Sequence, residues 1–175
     1  MSRPRSERPS ADELISALNA LGVHFLVGGE SPPKAVLPPA RLLAALAEQE
    51  DARLRLAIVP LLLYRPGLAG IVPETLSLLA EPALTRFKLF YTAAVVLQEE
   101  YAAALEKLAG QQVRLPDLFS RELGIPSRGR PDARLKRLGE RHQAVSGVAA
   151  NWIGTYRHGA ERLIRRLEWE AQWAR

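Results

Sequence analysis

Two short segments of the chain combine arginine with histidine, residue types that together could act on a phosphate group. Arg157 stands directly before His158 and Gly159, and Arg137 precedes His142 by a few positions. The guanidinium group of arginine binds phosphate in a bidentate manner, and histidine is the side chain most often used for proton transfer. Each segment could therefore be a catalytic site or one side of a basic helix.

The surroundings of Arg157-His158-Gly159 favour a helix. The apolar residues that continue at helical spacing through the motif are Trp152, Tyr156, Leu163 and Leu167. The motif resembles the nucleophile segment of the histidine phosphatases, but in that family it ends a strand, and a second histidine and further arginines complete the phosphate pocket. Because no apolar strand precedes it here, the sequence predicts one turn of an amphipathic helix.

The outer face of this last helix is predicted to be basic. On a helical wheel, an arc of about 100° contains the residues His158, Arg162, Arg165, Arg166 and Trp169. An exposed tryptophan among arginines is typical of a protein interface or of a stacking surface for nucleic acid. We therefore expect this face to bind a protein partner or nucleic acid, although Glu161 can pair with Arg165 at i,i+4.

Arg137 and His142 fit the loose Arg-to-His spacing of HEPN ribonucleases, which they resemble in this respect alone. HEPN domains are small helical bundles that act as dimers and cleave RNA without a metal ion. On a helical wheel, however, the two residues stand about 140° apart. His142 instead lies near the apolar stripe of Leu135, Leu138 and Val145. The sequence therefore favours a half-buried structural histidine, and a catalytic pair of Arg137 and His142 is the alternative.

The N-terminal segment ELISALNALGVHFLVGG resembles the opening helix and strand of minimal nucleotidyltransferases. The positions that match are Asn19, Gly22, Val23, Gly28 and Gly29. In that family a strand with an Asp-x-Asp pair soon follows and holds two metal ions, whereas SPPKAVLPPARLLAAL follows here without such a pair. The resemblance therefore implies a small helical partner of such enzymes, of the kind found in bacterial toxin–antitoxin or defence modules.

Composition limits the classes of function. The chain has 175 residues, no cysteine and three histidines, so we expect neither a metal site nor a cofactor. Basic residues number 13 and acidic residues 7 from Arg114 onward, which gives this part a net charge of +6. No apolar run approaches the ~20 residues of a membrane helix, and MSRPRSERPS has no apolar signal-peptide core. A cytoplasmic location is the resulting expectation.

The pattern of elements predicts a mainly α protein in three parts. Residues 1–9 read as a disordered basic tail, residues 10–37 as a helix, a short strand at 23–27 and a linker, and residues 38–175 as a helical bundle. The bundle should surround one long helix over residues 82–109, with an apolar seam that runs from Phe87 to Leu108.

Three local features add detail to this prediction. Ser10 and Glu13 have the spacing of a capping box, and Pro60 should kink or shorten a helix that starts at Ala52. The adjacent carboxylates Glu99 and Glu100 are expected to be solvated. The sequence as a whole predicts a non-enzymatic interaction or regulatory subunit. A HEPN-like ribonuclease and a structural subunit of a larger assembly are the alternatives.

Overall fold

The fold of the described residues consists of helices. The computed structural model describes residues 8–24, 26 and 36–174. Within these ranges there is no strand, which confirms the mainly α class. The α-helices are α1 Ala11–Ala20, α2 Pro39–Glu48, α3 Ala52–Leu56, α4 Ile58–Tyr64, α5 Val72–Ser77, α6 Ala83–Glu100, α7 Ala102–Ala109, α8 Ser120–Leu123, α9 Pro131–Ser146 and α10 Trp152–Trp173, with a 3-10 helix at Pro66–Ile71 between α4 and α5.

Helix α6 is enclosed by the other helices. Residues 89–98 are all buried, and α6 packs against α2, α4, α9 and α10. A helix buried on every side must satisfy its polar side chains internally. Thr92 donates to the Lys88 carbonyl at 2.8 Å, and the Gln98 amide bonds to backbone groups of Val113 and Leu115, each at 2.8 Å. These last two bonds fix the chain that follows α7.

The long helix predicted over residues 82–109 is two helices, α6 and α7, which meet at Tyr101 with φ −104° and ψ 17°. The backbone hydrogen bonds continue on both sides of Tyr101, from Tyr101 N to the Leu97 carbonyl at 2.9 Å and from Leu105 N to the Tyr101 carbonyl at 3.0 Å. The Tyr101 hydroxyl donates to Glu161 on α10 at 3.1 Å. The outer limits agree with the prediction, because Pro82 precedes α6 and Gly110 follows α7.

The break before Pro60 lies at Ala57, which separates α3 from α4. Pro60 therefore occupies the first turn of α4, where a backbone N–H has no partner within the helix. A proline costs little at that position. The helix that starts at Ala52 is thus shortened, which is one of the two effects expected of Pro60; the other was a kink.

The N-terminal segment agrees with the sequence prediction in part. The capping box is present, since Glu13 N donates to Ser10 Oγ at 3.2 Å and Ser10 N donates to Glu13 Oε2 at 2.8 Å. The strand expected at 23–27 is not confirmed, because Val23, His24 and Leu26 form no strand. Phe25, Val27 and residues 1–7 of the expected tail lie outside the described residues.

No described helix is by itself both long and apolar enough to cross a membrane. The segments Ala52–Tyr64 and Pro66–Ser77 reach that length and composition only when taken together, and they are bent by 113° relative to each other.

Candidate functional site

The arginine of the Arg157-His158-Gly159 motif is committed to ion pairs. Its Nε donates to Glu100 Oε2 at 3.1 Å, its Nη2 donates to Glu100 Oε1 at 2.6 Å, and Nη2 also contacts Asp132. The hydrogen bonds from Glu100 and then Asp132 raise the pKa of Arg157 above its usual value. One guanidinium group thus joins α6, α9 and α10 and is not available to a phosphate.

The other two residues of the motif have separate positions. His158 is exposed, whereas Gly159 is buried where α10 crosses α3 and α4. A Cβ at Gly159 would lie 3.3 Å from Leu56 Cδ1 and 3.5 Å from Pro60 Cδ. The glycine therefore allows close packing between the helices. The motif is one turn of α10, as predicted, and its three side chains do not converge on a common pocket.

The residues of the HEPN interpretation also have different environments. Arg137 is exposed and pairs with Glu140 at 3.5 Å. His142 is buried, with 3% of its surface exposed, and its Nδ1 lies 2.7 Å from the Tyr156 hydroxyl. The indole of Trp152 stacks on the imidazole at 3.5 Å between ring centroids. His142 thus belongs to an aromatic cluster inside the bundle, while Arg137 faces outward.

The electrostatic setting of His142 does not suit acid–base catalysis near neutral pH. Burial, followed by the positive charges of Arg55 and Arg86, lowers the pKa of His142 to about 4. Burial also raises the pKa of Tyr156 well above its usual value. Both groups are therefore neutral at pH 7, and their hydrogen bond is a link between α9 and α10.

We expect the purified protein to leave RNA intact in metal-free buffer. The reason is that His142 is covered by Trp152 and faces away from Arg137, so no phosphodiester can contact both residues. The measurement is gel electrophoresis of a labelled single-stranded RNA after prolonged incubation, with the folded variant His142→Gln as the comparison. Cleavage by the wild type that the variant lacks would contradict this assignment of His142.

The pattern shared with the nucleotidyltransferases has a local structural explanation at the end of α1. Gly22, with φ 83°, donates to the Asn19 carbonyl at 3.0 Å, and Val23 donates to the Leu18 carbonyl at 2.9 Å. This pair of bonds is a Schellman motif, which ends a helix with glycine in the left-handed region. The ring of Tyr64 also packs at Gly22, 2.8 Å from where a Cβ would stand. Gly28 and Gly29 lie outside the described residues.

Two arginines of the predicted basic face of α10 lie close to glutamates of the same helix. Arg166 pairs with Glu170 at 2.6 Å and donates to the His24 carbonyl at 3.2 Å, and Arg165 approaches Glu161 at 3.9 Å. The charged residues from His158 onward on α10 are three arginines (Arg162, Arg165, Arg166) and three glutamates (Glu161, Glu168, Glu170). With histidine neutral, this part of α10 has no net charge.

The C-terminal end of α10 extends beyond the packed part of the bundle. The buried stripe of the helix ends at Leu167, and residues 168–174 are all exposed. Trp169 is 59% exposed and Trp173 is 75% exposed, with their ring centroids 5.6 Å apart. The sequence prediction included Trp169 but missed Trp173, although the i,i+4 spacing of the two residues places them side by side. We call Trp169 and Trp173 the tryptophan pair.

A cavity of about 530 Å³ lies beside the chain that follows α7. Its lining residues are Gln98, Glu99, Ala102, Leu105, Glu106, Gln111, Gln112 and Arg114. Glu99 is not simply solvated as expected, because it binds Arg114 at 2.8 Å and Arg134 at 3.0 Å. Glu100 likewise binds Arg157. Of the charged groups that line this cavity, Glu99 is therefore engaged in ion pairs that hold the fold.

Two further observations bear on function. Within residues 8–24, 26 and 36–174, no group of three or more His, Asp or Glu side chains is placed to hold a metal ion. Comparisons of the chain with models of protein families, with curated proteins and with solved structures find no match.

Proposed function

We propose that this chain is a non-enzymatic interaction subunit that binds a protein partner through the C-terminal end of α10. The observation that supports this proposal is the exposure of the tryptophan pair on the last two turns of α10, where residues 168–174 are all exposed. Tryptophan and arginine are enriched at the energetic centres of protein interfaces. Exposing two adjacent indoles to water is unfavourable in free energy, and burial against a partner would remove this unfavourable contribution.

The charge balance of this surface favours a protein over a nucleic acid. A surface that binds the phosphate backbone needs a positive net charge, because it gains affinity from the release of counterions. Here the glutamates cancel the arginines, and two of the three arginines contact a glutamate on the same helix. Apolar side chains next to balanced charges instead match the core and rim of a protein interface.

The partner that fits this surface has an apolar patch for the tryptophan pair and a border of polar or charged groups. Polar groups at its edge would contact Arg165 and Glu168, which are exposed beside the indoles. The resemblance of the N-terminal segment makes a minimal nucleotidyltransferase the first partner to test. A role in a toxin–antitoxin or defence module rests on that same resemblance.

Replacing both residues of the tryptophan pair with alanine should weaken partner binding by about 30-fold or more. A central tryptophan of an interface typically contributes at least ~2 kcal/mol, and that energy corresponds to this factor in Kd. The partner is first identified by cross-linking in the native host, and it must be captured in stoichiometric amount. A calorimetric titration with the purified partner then measures the Kd. Because both side chains are exposed, the variant should keep the stability of the wild type.

The matched control replaces two exposed valines elsewhere, Val113 and Val148, with alanine. This control should bind as the wild type does. Equal weakening in both variants, or no weakening in either, would contradict the assignment of the surface. Self-association that disappears in the Trp169→Ala/Trp173→Ala variant would show instead that the partner is a second copy of the chain, and light scattering detects that outcome.

A further inference from the structure

A second surface has a different chemistry from the end of α10. It consists of the outer face of α9 and the loop before it. Its exposed basic residues are Arg128, Arg130, Lys136, Arg137 and Arg141. The acidic residues in the same stretch are Asp132, which is occupied by Arg157, and Glu140. We call these five basic residues the α9 basic surface.

Three of these arginines follow one another along the axis of α9. Arg130 is the N-cap residue, with an extended backbone, and Arg137 and Arg141 are one turn apart within an arc of about 40°. The rise of ~1.5 Å per residue spreads them over ~16 Å of the helix axis. Ala133, Glu140 and Ala144 are exposed on one flank of this stripe, and Val145 is exposed on the other. Because the alanines are small, an extended ligand can approach the arginines closely.

The charges of this surface do little to hold the fold. Among the described residues, Arg137 is the one member of the surface with an ion pair, and its partner Glu140 is on the same helix. Arg134 and Arg157, by contrast, each bind two carboxylates from other parts of the fold. Arg128 and Arg130 also lie at the N-terminal end of α9, where the helix dipole disfavours positive charge. Stability alone would not select these residues at these positions.

We propose that the α9 basic surface binds the phosphate backbone of a nucleic acid. Duplex DNA has one phosphate per ~1.7 Å of its axis, so a stripe of ~16 Å can contact several phosphates at once. The arginine fork matches the geometry of a phosphate group. From residue 128 to residue 144 no exposed side chain is aromatic, so the surface offers no group for base stacking. Binding is therefore through the backbone and has little sequence preference.

A nucleic acid fits this surface better than an acidic protein does. A stable protein interface normally includes a buried apolar centre, as the tryptophan pair would supply on α10. The α9 basic surface has positive charge and alanine side chains, and the larger apolar side chain at its edge is a single valine, Val145, which is 42% exposed. This inference is independent of the proposed function, because the two surfaces are on different helices and use different residues.

The test compares two triple variants of the full chain with the same change in net charge. The first is Arg130→Gln/Arg137→Gln/Arg141→Gln on α9. The control is Arg8→Gln/Arg53→Gln/Arg121→Gln, which removes three exposed arginines elsewhere. Fluorescence anisotropy measures binding to a short labelled DNA duplex and to single-stranded DNA and RNA of the same sequence, each over a series of salt concentrations.

The wild type should bind at low salt and lose affinity steeply as salt rises. The α9 variant should bind at least about tenfold more weakly, and its plot of log affinity against log salt should be less steep by about 2 to 3 units, one for each lost phosphate contact. The control should stay within about twofold of the wild type. The probe that binds most tightly, among duplex DNA, single-stranded DNA and RNA, identifies the type of nucleic acid that this surface binds.

Three results would overturn the proposal. They are the absence of binding by the wild type at low salt, equal weakening in the α9 variant and the control, and equally tight binding of labelled polyglutamate. The last result would indicate an acidic protein ligand. Circular dichroism and thermal unfolding of both variants show whether a loss of binding reflects a loss of the fold.

Discussion

Replacing Arg134 with methionine should lower the free energy of unfolding by about 3 kcal/mol. Arg134 is 1% exposed, and its guanidinium group donates to the Pro126 carbonyl at 2.8 Å, to Glu99 at 3.0 Å and to Asp117 at 3.4 Å. These bonds connect α9 to the end of α6 and to both sides of α8. Removal of one partner from a buried ion pair leaves the opposite charges poorly compensated.

The size of this effect follows from the exposure of the carboxylates. Glu99 and Asp117 partly reach solvent, and Glu99 keeps its contact with Arg114, so the lower end of the range for buried pairs applies. Equilibrium unfolding in urea measures the change. Arg114→Met is the matched control, because Arg114 binds the same Glu99 from an exposed position and should cost less than about 1 kcal/mol. A similar decrease in the free energy of unfolding in the two variants would show that the burial of Arg134 adds nothing to the stability that its ion pairs provide.

Acidification should destabilise the protein by up to about 3 kcal/mol through His142 alone. The pKa of His142 is about 4 in the folded protein, against an ordinary value of 6.5. Above pH 6.5 the imidazole is neutral in both states, and its environment has no effect on the pH dependence. As the pH falls below 6.5, the unfolded chain takes up a proton that the folded protein does not, so stability decreases until the pH reaches about 4.

Unfolding free energies measured between pH 7 and pH 4 for the wild type and for His142→Gln would check this expectation. Glutamine does not titrate, and its amide can keep a hydrogen bond to the Tyr156 hydroxyl. The difference between the two proteins isolates the histidine from the carboxylates, which titrate in both. The wild type should lose stability more steeply than the variant, and parallel curves would mean that His142 is accessible to protons when folded.

Local patterns in the sequence were sufficient for several elements of the fold. The capping box of Ser10 and Glu13 depends on residues within one turn, and the buried stripe of α10 depends on helical period alone. The break between α6 and α7 at Tyr101 was not predictable in this way, because the tyrosine continues the apolar seam of the expected long helix. The early end of the helix that begins at Ala52 was anticipated, because Pro60 excludes an uninterrupted helix over this segment.

The candidate sites were predictable to a similar degree. The wheel placed the outward face of α10, and the numbers of its arginines and glutamates can be counted in the sequence. The contact of Arg166 with the His24 carbonyl, 142 positions away, could not be predicted from it. Arg134 looks like any other arginine of a basic segment, since its acceptors at positions 99, 117 and 126 meet only after folding. The α9 basic surface follows from helical period, but only the structure shows which arginines of that stretch are occupied by ion pairs.

The two neighbouring carboxylates at the end of α6 make the length of that helix critical. Glu99 receives an arginine from α9 and Glu100 receives one from α10, so successive residues anchor two different helices. Insertion or deletion of a single residue in the preceding turns would rotate both carboxylates by about 100° and release both anchors together. Homologous chains should therefore tolerate length changes in the connection over residues 147–150 but preserve the residue count of α6.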